Sequence, residues 1–99
     1  MTNTERDQII AMARDESTPP EVLARLARDE DPGVRGSVAR NPNTALKVLV
    51  KLAGDKHGSV RRDAIRNPSI PPVVLEALTY DWDLEERQAE AVFVTPFEH

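Results

Sequence analysis

The feature that most constrains the fold of this chain is an internal repeat of 26 residues. Residues 13–38, 39–64 and 65–90 align without a gap and read ARDESTPPEVLARLARDEDPGVRGSV, ARNPNTALKVLVKLAGDKHGSVRRDA and IRNPSIPPVVLEALTYDWDLEERQAE. The first two rows share ten identical positions, and the last two share eight. A repeat of this length is typical of arrays in which each small unit buries its apolar face against its neighbours.

The apolar residues of each unit have helical spacing. Val22, Leu23 and Leu26 are followed 26 residues later by another Val-Leu and Leu set, and 26 residues after that by a third. The i, i+1, i+4 pattern places them on one helix face. Asn-Pro at residues 41–42 and 67–68 ends the preceding helix, because proline disfavours helical geometry at the residue before it. No segment reads as a strand. The sequence predicts about seven short helices, at 4–14, 19–28, 32–40, 45–53, 58–66, 71–80 and 83–93.

Helix starts are also marked in the sequence. Thr18, followed by proline and then by Glu21, predicts a capping box in which the threonine is the N-cap. Asp31 before Pro32 predicts a second capped start. Helices this short are marginal alone in water, so they must stack. We therefore expect a single all-α domain over residues 1–99, a short α-solenoid. Its parts are a half-repeat at 1–15, repeats at 16–41, 42–67 and 68–93, and a tail at 94–99. A compact bundle without repeats fits the 26-residue register less well.

The combined pattern resembles the leucine-rich repeat variant family and, more loosely, HEAT-type repeats. The pattern is Pro-x-x-Leu-x-x-Leu-Ala-x-Asp, then Val-Arg-x-x-Val-Ala, then Asn-Pro, and it covers residues 12–83. The matching residues are Pro20, Leu23, Leu26, Ala27, Asp29, Val34, Arg35, Val38, Ala39, Asn41 and Pro42, and then Leu49, Leu52, Ala53, Asp55, Val60, Arg61, Ala64, Ile65, Asn67 and Pro68.

The resemblance implies a right-handed superhelix of alternating longer and shorter helices, and it leaves open whether the shorter ones are α or 3₁₀. It implies little about activity, because a fold does not fix a function. Two features depart from the family. The cysteine-rich segment that holds an iron–sulfur cluster in some members is missing, and Glu86 stands where Val34 and Val60 stand in the earlier rows. The last unit therefore reads as a terminal cap with a more polar face.

Composition argues against catalysis. The chain has no cysteine, which excludes disulfides, thiolate metal sites and a cysteine nucleophile. Its two histidines, His57 and His99, have no predicted partner, and no Gly-rich phosphate loop or converging ligand set is present. We expect no enzyme activity, no cofactor and no metal. No apolar run reaches membrane-spanning length, and no signal peptide is recognisable, so we expect a cytoplasmic protein.

Arginine and aspartate recur together along the repeat. Their positions are Arg35, Arg61 and Arg87, and Asp29, Asp55 and Asp81. A row of guanidinium groups at one-repeat spacing is one way to bind a nucleic acid. Because the aspartates recur with the arginines, we favour a structural ladder in which each arginine pairs with an aspartate of its own or of the neighbouring unit.

Charge is unevenly distributed along the chain. Residues 1–38 carry a net charge of −3, residues 39–66 carry +5 and residues 67–99 carry −6. The basic middle makes Lys47, Lys51 and Arg62 candidate polyanion-binding residues, with Lys47 and Lys51 on one exposed helix face. The acidic flanks and the lack of interleaved aromatic residues make nucleic acid the weaker hypothesis.

All four aromatic residues lie between positions 80 and 97. Tyr80 and Phe93 suit the role of an end plug. Trp82 and Phe97 are harder to bury, and with Phe93 they form the predicted partner-binding set, because exposed aromatic residues anchor interfaces. The favoured function is a protein-interaction module that binds a protein partner through its repeat surface or its aromatic end. Self-association into a homo-oligomer is a second form of the same hypothesis.

Overall fold

The computed structural model describes residues 3–77. Within this range all the regular secondary structure is helical, and there is no strand. The helices are α1 (Asn3–Arg14), α2 (Pro20–Leu26), α3 (Pro32–Arg40), α4 (Leu46–Leu52) and α5 (Gly58–Ile65). A sixth, α6, begins at residue 72 and is helical through residue 77. The all-α prediction is confirmed for this part of the chain, and the starts of all six helices and the ends of α1–α5 differ from the predicted ones by at most two residues. The predicted helix at 83–93 lies outside the described residues.

The helices form two layers. In one layer α3 packs between α1 and α5. In the other layer α2 and α4 each contact α3, and α4 also contacts α5, whereas α2 and α4 do not pack closely against each other. The second layer is therefore the more open one. Both of its helices are α-helical rather than 3₁₀. No helix within residues 3–77 is both long enough and apolar enough to cross a membrane.

The predicted apolar stripe is buried in part, and Val22 and Leu26 of the first row are only half-buried. Leu23 and Leu49, which occupy the same position in consecutive rows, are completely buried, and Leu52 is 4% exposed. Val38 from α3 and Val60 from α5 belong to the same buried cluster as Leu23 and Leu52. Burying a leucine stabilises a fold by roughly 1.5–3 kcal/mol, so these side chains supply the packing that short helices lack alone.

A close approach of two helices explains one glycine in the core. Gly36 lies in the middle of α3, facing α5. A Cβ atom added there would lie 3.2 Å from the carboxylate of Asp63 and 4.0 Å from a methyl group of Val60. Since glycine is unfavourable inside a helix, the contact between α3 and α5 is what favours it at this position.

The helix starts agree with the sequence in one case and differ in another. Asp31 is the N-cap of α3, and its carboxylate accepts a hydrogen bond from the Gly33 amide at 2.8 Å, as predicted. The capping box at Thr18 is wrong: the N-cap of α2 is Pro19, and no side chain caps it. The Thr18 hydroxyl donates instead to the Met12 carbonyl at 2.7 Å, in the last turn of α1, where that carbonyl also accepts from the Asp15 amide at 3.2 Å.

Candidate functional site

A buried asparagine joins each helical unit to the unit before it. The Asn41 side chain is 2% exposed, and its amide nitrogen donates to the carbonyls of Ala13 and Asp15, both at 2.8 Å. Its side-chain oxygen accepts from the Asn43 amide at 2.8 Å. These three bonds use both N–H groups and the oxygen of the side chain. They bind two carbonyls at the C-terminal end of α1, of which that of Asp15 also accepts from the Thr18 amide at 3.1 Å.

The same junction recurs 26 residues later. Asn67 is 4% exposed and donates to the carbonyls of Ala39 and Asn41, at 2.8 and 3.0 Å. Its oxygen accepts from the Ser69 amide at 2.8 Å. We call the contacts of Asn41 and Asn67 the asparagine junctions. The sequence reading used Asn-Pro only as a helix stop, and the recurrence of the asparagine at 26-residue spacing was the available signal for its second role.

A second junction is ionic. The Arg35 guanidinium, on α3, binds both oxygens of the Asp55 carboxylate, with Nε at 2.7 Å and Nη2 at 3.1 Å. Its Nη1 atom donates to the carbonyls of Asp29 and Glu30 at 2.8 and 2.9 Å. The side chains of Arg35 and Asp55 are only 8% and 9% exposed. Arg35 thus ties the turn before its own helix to the carboxylate of the next unit.

The ladder predicted from the sequence has two further members in the described residues, Arg61 and Asp29. Arg61 donates to the Asp55 carbonyl at 2.7 Å, as Arg35 does to the carbonyl of Asp29. The remaining predicted members, Asp81 and Arg87, lie outside the described residues. The side chain of Asp29 accepts from the Asp31 amide at 2.9 Å and stabilises the turn between α2 and α3.

The ionic junction also changes proton affinities. The hydrogen bond from the Arg35 guanidinium is the largest cause that holds the pKa of the Asp55 carboxyl below its usual value, and the backbone N–H of His57 lowers it further. The same contact raises the pKa of Arg35. Both effects favour the charged pair at neutral pH.

His57 has fixed neighbours, contrary to the sequence reading. Its Nδ1 atom lies 3.2 Å from Nη2 of Arg35 and 3.9 Å from the Asp55 carboxylate. Its ring therefore lies beside a charged pair that already has its partners. Within residues 3–77, no group of three or more His, Asp or Glu side chains is placed to hold a metal ion.

A groove of about 350 Å³ opens between the two helices of the looser layer. Small and aliphatic side chains form its apolar surface. The charged residues that line it within the described part of the chain are three cations and one carboxylate. We call it the α2–α4 groove. Its lining residues are Ala24, Ala27, Arg28, Lys47, Val48, Lys51, Leu52 and Asp55.

The structure separates the three predicted polyanion-binding residues. Lys47 and Lys51 are exposed on α4 and both line the α2–α4 groove. Arg62 is exposed on α5 and does not line it. Trp82, Phe93 and Phe97, the predicted aromatic partner-binding set, lie outside the described residues. The groove was not predicted, because its shape depends on how far α2 and α4 lie apart.

Comparison of the chain with family models, with curated proteins and with solved structures finds no match.

Proposed function

We propose that this chain is a non-catalytic protein-interaction module, built as a short right-handed α-solenoid with a 26-residue period. The handedness follows from the resemblance to the leucine-rich repeat variant family, to which we propose that the chain belongs. Two sets of contacts support the period: the junctions of Asn41 and Asn67, and the bonds from Arg35 and Arg61 to the carbonyls of Asp29 and Asp55.

The repeat architecture has a direct test, which is the insertion of a second copy of residues 42–67 after residue 67. In a solenoid the copy meets the same neighbours as the original, and stability rises with each added unit. We expect the longer protein to remain helical by circular dichroism and to unfold at a higher denaturant concentration. Insertion of only the first half of that segment is the matched control, and it should destabilise the protein. Equal destabilisation by both insertions would contradict the proposed period.

The observation that carries the proposed function is the α2–α4 groove. It combines an apolar surface with exposed cations, and it lies between two helices that do not pack closely together. The ladder arginines within the described residues, Arg35 and Arg61, are engaged with the Asp55 carboxylate and with backbone carbonyls. The polar groups of the repeat thus hold units together, while the open layer offers a surface without a reactive constellation. A concave, partly apolar surface with a few polar groups is the usual form of a binding site.

A crosslinking experiment in the native host cell tests this function. A photoreactive amino acid replaces Lys51, which is exposed on α4 and lines the groove, or Gln8, which is exposed on α1. We expect irradiation to yield a defined protein adduct from the α4 position, identified by mass spectrometry, and little from the α1 position. Adducts from the α1 position alone would support the interaction function but assign it to a different surface. No protein adduct from either position would contradict it.

Polyanion binding is the alternative, and the exposed pair Lys47 and Lys51 in the basic middle of the chain favours it. Against it stands the position of Arg62, which lies apart from the groove that the two lysines share. A phosphate-tracking surface needs cations spread along a path rather than around one apolar depression.

A further inference from the structure

The positive charge of the α2–α4 groove is not neutralised within the described residues. Arg28, Lys47 and Lys51 are exposed, and none of the ion pairs of residues 3–77 includes them. The carboxylate of the groove, that of Asp55, is already bound in bidentate fashion by Arg35. Within residues 3–77 the groove therefore presents three cations whose charge no carboxylate neutralises.

The floor of the groove is apolar. Ala24 and Ala27 come from the α2 side, and Val48 and Leu52 come from α4. Its volume, about 350 Å³, is near the small end of the range of ligand pockets, ~300–1,000 Å³. Such a space accepts a few side chains of an extended or helical segment, and it is too small for a folded domain or a nucleic-acid duplex.

We propose that the α2–α4 groove binds an acidic peptide segment of a partner protein, which inserts an aliphatic side chain over Ala24 and Val48 while its carboxylates meet Lys47, Lys51 and Arg28. This inference rests on the proposed interaction function and names the chemistry of its partner. The apolar floor supplies affinity, and the charges supply orientation and rapid association. Within residues 3–77 no aromatic side chain lines the groove, so these residues offer no surface for base stacking.

The test starts from selection of random peptides displayed on phage against the full chain. We expect enrichment of sequences in which Asp and Glu flank Leu, Ile or Val. The double variant Lys47→Glu/Lys51→Glu should lose this enrichment. Its matched control is Lys56→Glu/Arg62→Glu, which makes the same change in net charge at two exposed residues outside the groove lining and should keep the enrichment.

Affinity of the most enriched peptide is then measured by fluorescence anisotropy. We expect the groove double variant to bind about tenfold more weakly, the change expected from the loss of two exposed charge pairs, and the control to bind as the wild type does. Ala24→Leu tests the floor, because it fills the groove without changing its charge. It should weaken binding while circular dichroism shows the wild-type helix content.

Several results would overturn the proposal. They are enrichment of peptides without acidic residues, equal loss in the groove and control variants, and unchanged affinity in Ala24→Leu. Retention of single-stranded DNA that both double variants lose would assign the surface to nucleic acid. A wild-type dimer that only Lys47→Glu/Lys51→Glu dissociates in sedimentation would make a second copy the occupant. If a crosslinked partner bound all the groove variants as tightly as the wild type, the interaction function would stand and only this binding site would be refuted.

Discussion

Asp15 and Asn41 occupy the same position of the repeat in consecutive units, and their environments are opposite. Asn41 is buried and donates two hydrogen bonds to the unit before it. Asp15 is exposed, and its carboxylate accepts from the amide and the hydroxyl of Ser17, at 2.9 and 2.7 Å. Both side chains accept a hydrogen bond from the backbone N–H two residues later, so the local turn is the same. The two positions differ in whether the side chain must also donate hydrogen bonds.

The difference shows that a side chain at this position of the repeat can do two separate things: stabilise the local turn, and bind the preceding unit. An oxygen at this position stabilises the turn, and either aspartate or asparagine provides it. A donor is needed only where the carbonyls of a preceding unit lie against the side chain, as they do at Asn41 and Asn67. A carboxylate has no donor, and at a buried junction its charge would face carbonyl oxygens.

The largest effect that we expect comes from Asn41→Asp. The change removes both donors and introduces a buried charge beside the carbonyls of Ala13 and Asp15, which should cost about 4 kcal/mol, as other uncompensated buried charges do. Denaturant unfolding at neutral pH measures it. Asn41→Ala is the matched control without the charge. It should cost about 2 kcal/mol, because the Ala13 carbonyl loses its donor while the Asp15 carbonyl keeps the Thr18 amide. If the aspartate variant were as stable as the wild type, the asparagine junction would not be needed.

Leu49→Ala tests whether packing between units matters as much as the junctions. Leu49 is completely buried in the second row, so its truncation should cost about 3 kcal/mol, within the range of ~2–5 kcal/mol for buried leucines. Leu23, equally buried one unit earlier, should give a similar loss when it is changed to alanine. A loss below 1 kcal/mol at either position, measured in denaturant, would contradict the burial of the stripe.

Arg35→Ala should destabilise the protein less, by about 2–3 kcal/mol. Loss of the guanidinium leaves the Asp55 carboxylate without its charged partner, but Asp55 lines the α2–α4 groove, where water reaches it and reduces the penalty. A double-mutant cycle with Asp55→Asn isolates the pair, and we expect the two losses to be far from additive. Additive losses would mean that Arg35 acts mainly through the carbonyls of Asp29 and Glu30.

The same pair predicts how stability depends on pH. The folded-state pKa of Asp55 is lowered, so its contribution is fully present above the unfolded value of about 3.9 and is lost as the pH falls through the folded value. Unfolding free energy measured between neutral and acidic pH should therefore fall in acid. The slope should be smaller in Asp55→Asn but not zero, because the pKa values of Asp15 and Asp31 are lowered as well. If the slope in Asp55→Asn equalled that of the wild type, Asp55 would not contribute to the loss of stability in acid.

These contacts also show what the sequence can and cannot predict. The stripe of Leu23 and Leu49 and the Asn-Pro stops are local patterns. With the other start and stop signals they place the starts of the first six helices and the ends of the first five within two residues. Thr18 was misread because its hydroxyl can cap the next helix or satisfy the previous one, and only the distance to the Met12 carbonyl decides between them. The α2–α4 groove was not predicted, because no local pattern encodes the spacing of two helices that are not neighbours in sequence.

The smallest effect that we expect comes from Asp15→Asn, the reverse of the first change. The introduced amide oxygen can still accept from Ser17, as that of Asn41 does from Asn43, and its donors face solvent at an exposed position. The denaturant midpoint at neutral pH should stay within experimental error of the wild type. Combining it with Asn41→Asp should not restore stability, because the defect lies at the buried junction. A clear gain in stability, or the appearance of dimers in light scattering, would show that the amide donors of the introduced asparagine find carbonyl partners. The difference between positions 15 and 41 would then come from the side chain alone and not from its surroundings.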